Sequence, residues 1–318
     1  MRGGENINCI LAVVGGLSLF LFGLNLMRES LIKANNQKLR KLLQKATGNK
    51  FKALLTGILT TFLIQSSSGV TAIVVALMGA NILSLSQGVM VMIGSNIGTT
   101  TTAFIFTLHI EKYSLLFVII GYFFMMFKKR KLQNLGNILI GFGFLFLGID
   151  IMNIGFERII GTNLFTNLLF LLSNNRFTAL LGGTLISAAI QSSSATIGIS
   201  QTLYELNSIT IKVAVSIMLG ANIGTTIASL IAAVSASKEA KAAVYVNIFF
   251  NLVGALLFLI FLDPFCDVLG YLEVFIKDKK MTIAYAHLLF NIISTIVFYF
   301  IFDKIVRRTD QRLFVKNN

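Results

Sequence analysis

Residues 53–110 contain no Asp, Glu, Lys or Arg. In a soluble domain about a quarter of the residues are charged. A membrane helix, by contrast, needs about 20 predominantly apolar residues to cross a hydrocarbon core about 30 Å thick. The rest of the chain agrees with a lipid environment: 55% of residues are hydrophobic, 13% are charged and mean hydropathy is +0.81. Abundant Ile, Leu and Phe exclude disorder. A single proline excludes a loop-rich or collagen-like chain. In hydrocarbon the backbone must satisfy its own polar groups, so only helices and closed barrels span. No alternating ten-residue strand pattern occurs, and the chain reads as an all-α integral membrane protein.

Continuous apolar runs fall near 10–27, 114–127, 133–153, 242–262 and 281–302, and two longer polar-flecked blocks cover 53–110 and 177–236. The net charge of +14 comes from 27 basic and 13 acidic residues. The basic residues fall in short breaks between apolar runs, which argues for topology rather than nucleic-acid binding. Arg28 to Lys52 holds eight of them, Lys128 to Lys131 four, and Arg307 to Lys316 four, with Lys238 and Lys241 a weaker pair. Segment 263–280 is acidic on balance. With the basic clusters in the cytoplasm, all the breaks agree with one arrangement of seven crossings and two dips. The amino terminus is then outside and the carboxyl terminus inside a plasma-membrane protein. Segment 28–52 reads as an amphipathic helix on the cytoplasmic surface. The run 10–27 lacks a cleavage-like site and reads as a retained span. Cys9 and Cys266 offer neither metal spacing nor a disulfide framework.

The chain repeats itself. Gln65-Ser66-Ser67-Ser68 recurs 126 positions on as Gln191-Ser192-Ser193-Ser194, and Gly94-Ser95-Asn96-Ile97-Gly98-Thr99-Thr100 as Gly220-Ala221-Asn222-Ile223-Gly224-Thr225-Thr226. Asn81/Asn207, Met92/Met218 and Gly57/Gly183 keep that offset, and Gly23/Gly148 and Met27/Met152 keep one of 125. The first repeat is bounded at 10–127 and the second at 133–262, with an added span at 281–302 and a cytoplasmic tail at 303–318. Three crossings per repeat invert the second copy, the plan of many secondary transporters. The added span echoes 242–262 at an offset of 40, through Tyr245/Tyr285, Phe250/Phe290 and Asn251/Asn291.

Residues 53–64 and 69–79 are each too short to cross, so Gln-Ser-Ser-Ser is expected at the tip of a re-entrant helical hairpin. Such a tip offers free N–H groups at a helix start, three hydroxyls and an amide. It can replace the hydration shell of an oxyanion, or present oxygens to a hard cation. The bland reading, hydroxyls bonded back to their own helix or gluing helices together, is weakened by the exact duplication of the run. Glycine and Asn interrupt 84–110 and 210–236 near their middles, which predicts a broken transmembrane helix in each repeat with freed carbonyls. A kink or a small-residue packing seam is the alternative, since Gly94 and Gly98 also form G-x-x-x-G. No acid lies deep in either repeat, where proton-driven carriers keep relays. Sodium needs none. His109 and His287 read as interfacial or hydrogen-bonded, Asp150 and Glu205 as residues at span edges, and Asn247, Asn251 and Asn291 as interhelical glue.

The doubled Q-S-S-S hairpin, each copy followed about 30 residues later by G-x-N-I-G-T-T, resembles the type II sodium/phosphate cotransporter family over roughly residues 10–300. The resemblance implies sodium-driven uptake of inorganic phosphate. By position it implies Gln65, Ser66, Ser67, Ser68, Gln191, Ser192, Ser193 and Ser194 as substrate-binding residues. Asn96, Thr99, Thr100, Asn222, Thr225 and Thr226 would sit beside them and hold sodium. Bacterial members often add a PhoU-like helical domain, whereas here only 303–318 follow the last span. Late spans of the family often carry His ahead of Phe-Asn; His287 fits, and Asn247 takes the earlier equivalent place.

The expectation is a sodium-coupled phosphate importer working by alternating access, not an enzyme, with no cofactor beyond its transported ions. Its partners are phosphate, sodium and the bilayer, not nucleic acid; a homo-oligomer or a separate regulatory protein is left open. The competing readings are a sodium-coupled carrier of another oxyanion, such as sulfate or a carboxylate, and a non-transporting phosphate sensor or scaffold. No nucleophile–base pair supports a membrane-embedded enzyme.

Overall fold

The computed structural model describes residues 2–44, 49–160, 162, 165, 167 and 175–315. Its regular elements are helices: α1 (Arg2–Gln44), α2 (Lys50–Ile64), α3 (Ser67–Gly79), α4 (Leu85–Ile105), α5 (Ser114–Met125), α6 (Arg130–Ile159), α7 (Arg176–Ile190), α8 (Ser193–Glu205), α9 (Ile211–Gly224), α10 (Thr226–Ala233), α11 (Lys238–Ile260), α12 (Leu262–Ile276) and α13 (Lys279–Val315). Among the described residues, six segments are long and apolar enough to cross a membrane: 8–35, 85–105, 130–159, 211–233, 238–260 and 279–302. The protein is an all-α membrane protein.

The sequence offset of 126 recurs in the elements. α2 begins and ends 126 positions before α7, α3 does so before α8, and α4 begins 126 before α9. The caps repeat too. Asn49 and Asn175 cap α2 and α7, accepting from Lys52 N at 2.8 Å and Phe177 N at 3.1 Å. Ser84 closes a capping box on α4, and Thr210 accepts from Val213 N at the start of α9. Such caps fix where a helix starts, each contributing about 1 kcal/mol.

Glycines set the closest packing. A Cβ on Gly57 or Gly94 would fall 2.1 Å from a carbonyl oxygen of the facing helix, Val91 or Leu54, so α2 and α4 touch backbone to backbone. The second copy repeats this between α7 and α9, where Gly183 meets Ile217 O at 2.2 Å and Gly220 meets Leu180 O at 2.0 Å. The leading helices of the two copies meet the same way: Gly16 faces Gly148 and Met152, and Gly23 faces Gly141 and Leu145. As one index rises the other falls, so α1 and α6 run antiparallel.

Charged residues gather where the expected topology puts loops of one side. Lys212 meets Asp263 at 2.7 Å and Arg176 meets it at 3.7 Å. The lysine holds the Asp263 carboxyl below its ordinary range. Lys280, 2% exposed, pairs with Glu205 at 2.7 Å and Glu111 at 3.5 Å, and His109 pairs with Asp278 at 3.0 Å. Lys50, at the start of α2, lies over the Tyr299 ring at 4.5 Å.

Several expectations change. Seven crossings are expected, but α5, with 12 residues, is about 18 Å long and falls short of the hydrocarbon thickness. Residues 28–44 continue α1 rather than forming a separate surface helix, 45–48 lie outside the described residues, and 50–52 open α2. The tail continues α13 in helical form to Val315. Asp150 lies inside α6, nine residues before its end, rather than at a boundary. Glu205 does end its helix, but paired to Lys280.

Both cysteines are free and buried, and burial pushes the Cys266 thiol up to about 12. The thiolate is the reactive form. Maleimide at pH 8 is therefore expected to spare Cys266 in the folded protein and modify it after unfolding. Rapid labelling of the folded protein would contradict this.

Candidate functional site

The two Gln-Ser-Ser-Ser runs have one backbone geometry. Gln65 and Gln191 end α2 and α7 in the left-handed region, with φ of 55° and 57°. That conformation is uncommon outside glycine and costs energy. The next serine is extended, with φ of −148° at Ser66 and −147° at Ser192, and each caps the helix that follows. Ser66 Oγ accepts from Gly69 N at 3.1 Å, and Ser192 Oγ accepts from Ala195 N at 3.3 Å. Each motif is thus a two-residue reversal between a 15-residue and a 13-residue helix.

The side chains of the two tips do not match. Gln65 is buried; its Nε2 donates to Phe62 O at 2.7 Å and its Oε1 accepts from Thr102 Oγ1 at 2.8 Å. Gln191 is exposed. Ser66 Oγ lies 3.3 Å from Ser68 Oγ, and Ser66, Ser67 and Ser68 are half-buried. Ser192, Ser193 and Ser194 are all buried. In the second copy the tip meets the other motif directly: Ser193 N donates to Thr225 Oγ1 at 2.9 Å. In the first copy the tip is reached by Thr102 instead. Among the described residues, no hydrogen bond joins one tip to the other.

The expected helix breaks are met only in part. α4 runs unbroken for 21 residues through Gly94 and Gly98. Its carbonyls are occupied by its own hydroxyls: Ser95 donates to Met92 O at 2.6 Å, Thr99 to Ser95 O at 2.9 Å and Thr100 to Ile97 O at 2.7 Å. In the second copy only Thr225 separates α9 from α10, and it keeps right-handed helical angles. Thr226 donates to Ile223 O at 2.7 Å, and Asn222 Nδ2 to Met218 O at 2.9 Å. The glycines therefore act as a packing seam, the alternative that G-x-x-x-G allowed.

Asn96 and Asn222 instead look outward to the late helices. Asn96 Nδ2 donates to Asn247 Oδ1 at 3.3 Å, and Asn222 Oδ1 lies 3.2 Å from Nε2 of the fully buried His287. The two pairs correspond: the asparagines are 126 apart, and Asn247 and His287 are 40 apart. Asn251 and Asn291, also 40 apart, both donate back to the residue four before, at 2.9 Å. Each leaves Oδ1 buried without a partner. A motif pair in the repeats is thus matched by a helix pair outside their register.

A family model described as Na+/Pi-cotransporter matches residues 19–154 and 148–262. The chain belongs to the Na+/Pi-cotransporter family. This family member is 32% identical over 283 residues to the uncharacterized protein YqeW of Bacillus subtilis (strain 168), covering 88% of the chain and 90% of the relative. It is 24% identical over 299 residues to the putative inorganic phosphate export protein YjbB of Escherichia coli (strain K12), covering 94% of the chain and 54% of that relative. A shorter stretch of 69 residues is 45% identical to the sodium-dependent phosphate transport protein 2C of Rattus norvegicus, covering 22% of the chain and 12% of that relative. No solved structure matches.

Two residues near these elements escape the sequence reading. Arg28 looks like one of a basic cluster, yet its Nη2 donates to Ser194 Oγ at 3.3 Å. Its place directly after the apolar run, beside the matched Met27, is the signal that separates it from Lys33 and Lys38. Lys280 looks like one of three loop lysines, yet it is buried between two acids. Nothing in its flanking sequence distinguishes it.

Proposed function

We propose that this chain is a sodium-coupled secondary transporter that imports inorganic phosphate by alternating access. The reading is carried by the duplicated tip, a left-handed glutamine followed by a capping serine that opens a helix. Membership of the Na+/Pi-cotransporter family supports it. Helix N-termini with free N–H groups and hydroxyls suit an oxyanion. Gln65 to Ser68 and Gln191 to Ser194 bind phosphate in this reading. Asn96, Thr99, Thr100, Asn222, Thr225 and Thr226 supply oxygens for sodium, once hydroxyls now bonded to their own helices rotate away.

The antiparallel leading helices favour a second repeat inverted in the bilayer, with both hairpins re-entrant. In this reading the basic breaks are cytoplasmic, the amino terminus outside and the carboxyl terminus inside, which requires seven crossings with the short α5 counted as one of them. The name of the Escherichia coli relative favours a second reading, in which phosphate leaves the cell.

The test is labelled phosphate flux in proteoliposomes of known orientation, with sodium or potassium gradients of either direction. Inward flux that collapses at least tenfold without sodium is expected. Flux indifferent to sodium would end the coupling proposal, and net flux only from the cytoplasmic face would favour export. Excess sulfate or a carboxylate that competes as well as phosphate would point to another oxyanion. Saturable binding without flux would point to a sensor.

A further inference from the structure

Arg28 lies in α1 with its guanidinium at the second tip. Nη2 donates to Ser194 Oγ at 3.3 Å, and Nε is buried with no partner. A guanidinium carries five N–H donors, no acceptor and a permanent charge. Here, among the described residues, no carboxylate pairs with it; the neighbouring Glu29 pairs with Lys33 at 3.4 Å instead. Arg28 is half-buried, and a partly desolvated cation met only by a neutral hydroxyl lacks its counter-charge. The backbone beside it is also incomplete. Of the first three N–H groups of α8, that of Ser193 goes to Thr225 Oγ1 and that of Ala195 to Ser192 Oγ. Among the described residues, no acceptor takes the N–H of Ser194. A charged fork and a free amide therefore converge on one residue.

The geometry points to Arg28 as the charged ligand of the phosphate at the second tip, its fork taking two phosphate oxygens while Ser194 holds a third. This role rests on the phosphate-transport reading above. It also separates the two tips. The position that matches Arg28 at the leading-helix offset of 125 is Asn153, a neutral side chain whose Oδ1 is buried without a partner. The charged ligand of the phosphate then belongs to the second tip, and the first tip adds neutral groups alone. A resident positive charge also takes over part of the neutralisation that sodium would otherwise supply.

The experiment is phosphate- and sodium-dependence of labelled phosphate flux in proteoliposomes holding the unchanged chain, R28Q or R28K. R28Q is expected to raise half-saturating phosphate about tenfold or more, because removing one member of a close charge pair weakens binding strongly. Half-saturating sodium should move less than about twofold, which a merely structural role would not achieve. R28K keeps a charge but loses the planar fork, and is expected to fall between the two, about threefold above the unchanged chain. Flux by the unchanged chain, with half-saturating phosphate of R28Q raised by less than about threefold, would overturn the role of Arg28 and leave the functional reading intact. No phosphate flux by the unchanged chain would overturn the functional reading and this role with it. Should R28Q not fold, phosphate-dependent thermal stabilisation of R28K decides. A half-stabilising phosphate concentration raised about threefold or more supports the role, and a smaller rise overturns it.

Discussion

A Gly220→Ala protein is expected to lose most of its folded yield. The added Cβ would lie 2.0 Å from Leu180 O and 2.8 Å from Thr184 N, both backbone atoms of α7. No rotamer change relieves a clash with a helix backbone, so α7 and α9 must separate. Overpacking commonly costs about 1–3 kcal/mol. A rigid backbone contact belongs at or beyond the upper end, about 3 kcal/mol, or roughly 10 °C in the unfolding midpoint. The control is Gly15→Ala in α1, where an added Cβ meets nothing within 4 Å. There the better helix propensity of alanine is expected to leave stability unchanged or raised by up to about 1 kcal/mol. Detergent-solubilised midpoints of the two variants measure the difference. Equal midpoints would mean that the seam is not closed at Gly220.

Thr225→Val is expected to be the most damaging near-isosteric change at the second tip. Thr225 Oγ1 is the acceptor for Ser193 N at 2.9 Å, and Ser193 is buried. Valine keeps the volume and strands the N–H, which costs about 1–3 kcal/mol. Thr225→Ser keeps the oxygen and is expected to recover most of the loss. The matched residue in the first copy is Thr99, whose hydroxyl only returns to Ser95 O. Thr99→Val should therefore stay within about 0.5 kcal/mol, as solitary back-bonded hydroxyls do little for their helix. Thermal midpoints of the two valine variants test this asymmetry. Equal losses at the two positions would contradict the different partners.

The contrast between Thr99 and Thr225 also marks where the sequence stops being informative. The duplication is legible to the residue in the hairpins: the starts of α2, α3 and α4, the ends of α2 and α3, capping Asn49/Asn175 and Ser66/Ser192, and left-handed Asn81/Asn207 all keep the 126 offset. Caps and turns are local chemistry, so matched residues give matched geometry. Partnership across the core is not local. Thr102, two residues past the motif, reaches Gln65, while Thr225 within the motif reaches Ser193, although the two copies read alike. Glycine is ambiguous for the same reason. In G-x-N-I-G it fits a break or a close approach, and only the facing carbonyl, such as Leu54 O, decides for approach. A glutamine in the left-handed region has no propensity signal, since that place usually falls to glycine or asparagine. The length of α5 misleads in the opposite sense, because an apolar run at 114–127 reads as a crossing while its helix stops at Met125.

Four helix pairs are closed by glycine against backbone among the described residues: α1 with α6, α2 with α4, α5 with α6, and α7 with α9. Surfaces that close interlock, and sliding one helix along its mate would drive Cα atoms through carbonyls. Each pair therefore behaves as a rigid body. Looser contacts include those of α3 against α10, α8 against α4, and α11 against α13. Between α11 and α13 they are made by side chains, such as the Phe258–Phe290 edge contact at 5.1 Å, which can re-form after a shift. The slip planes of the molecule thus lie along the arms that leave the two serine tips, while the arms that lead into them are bolted to the scaffold.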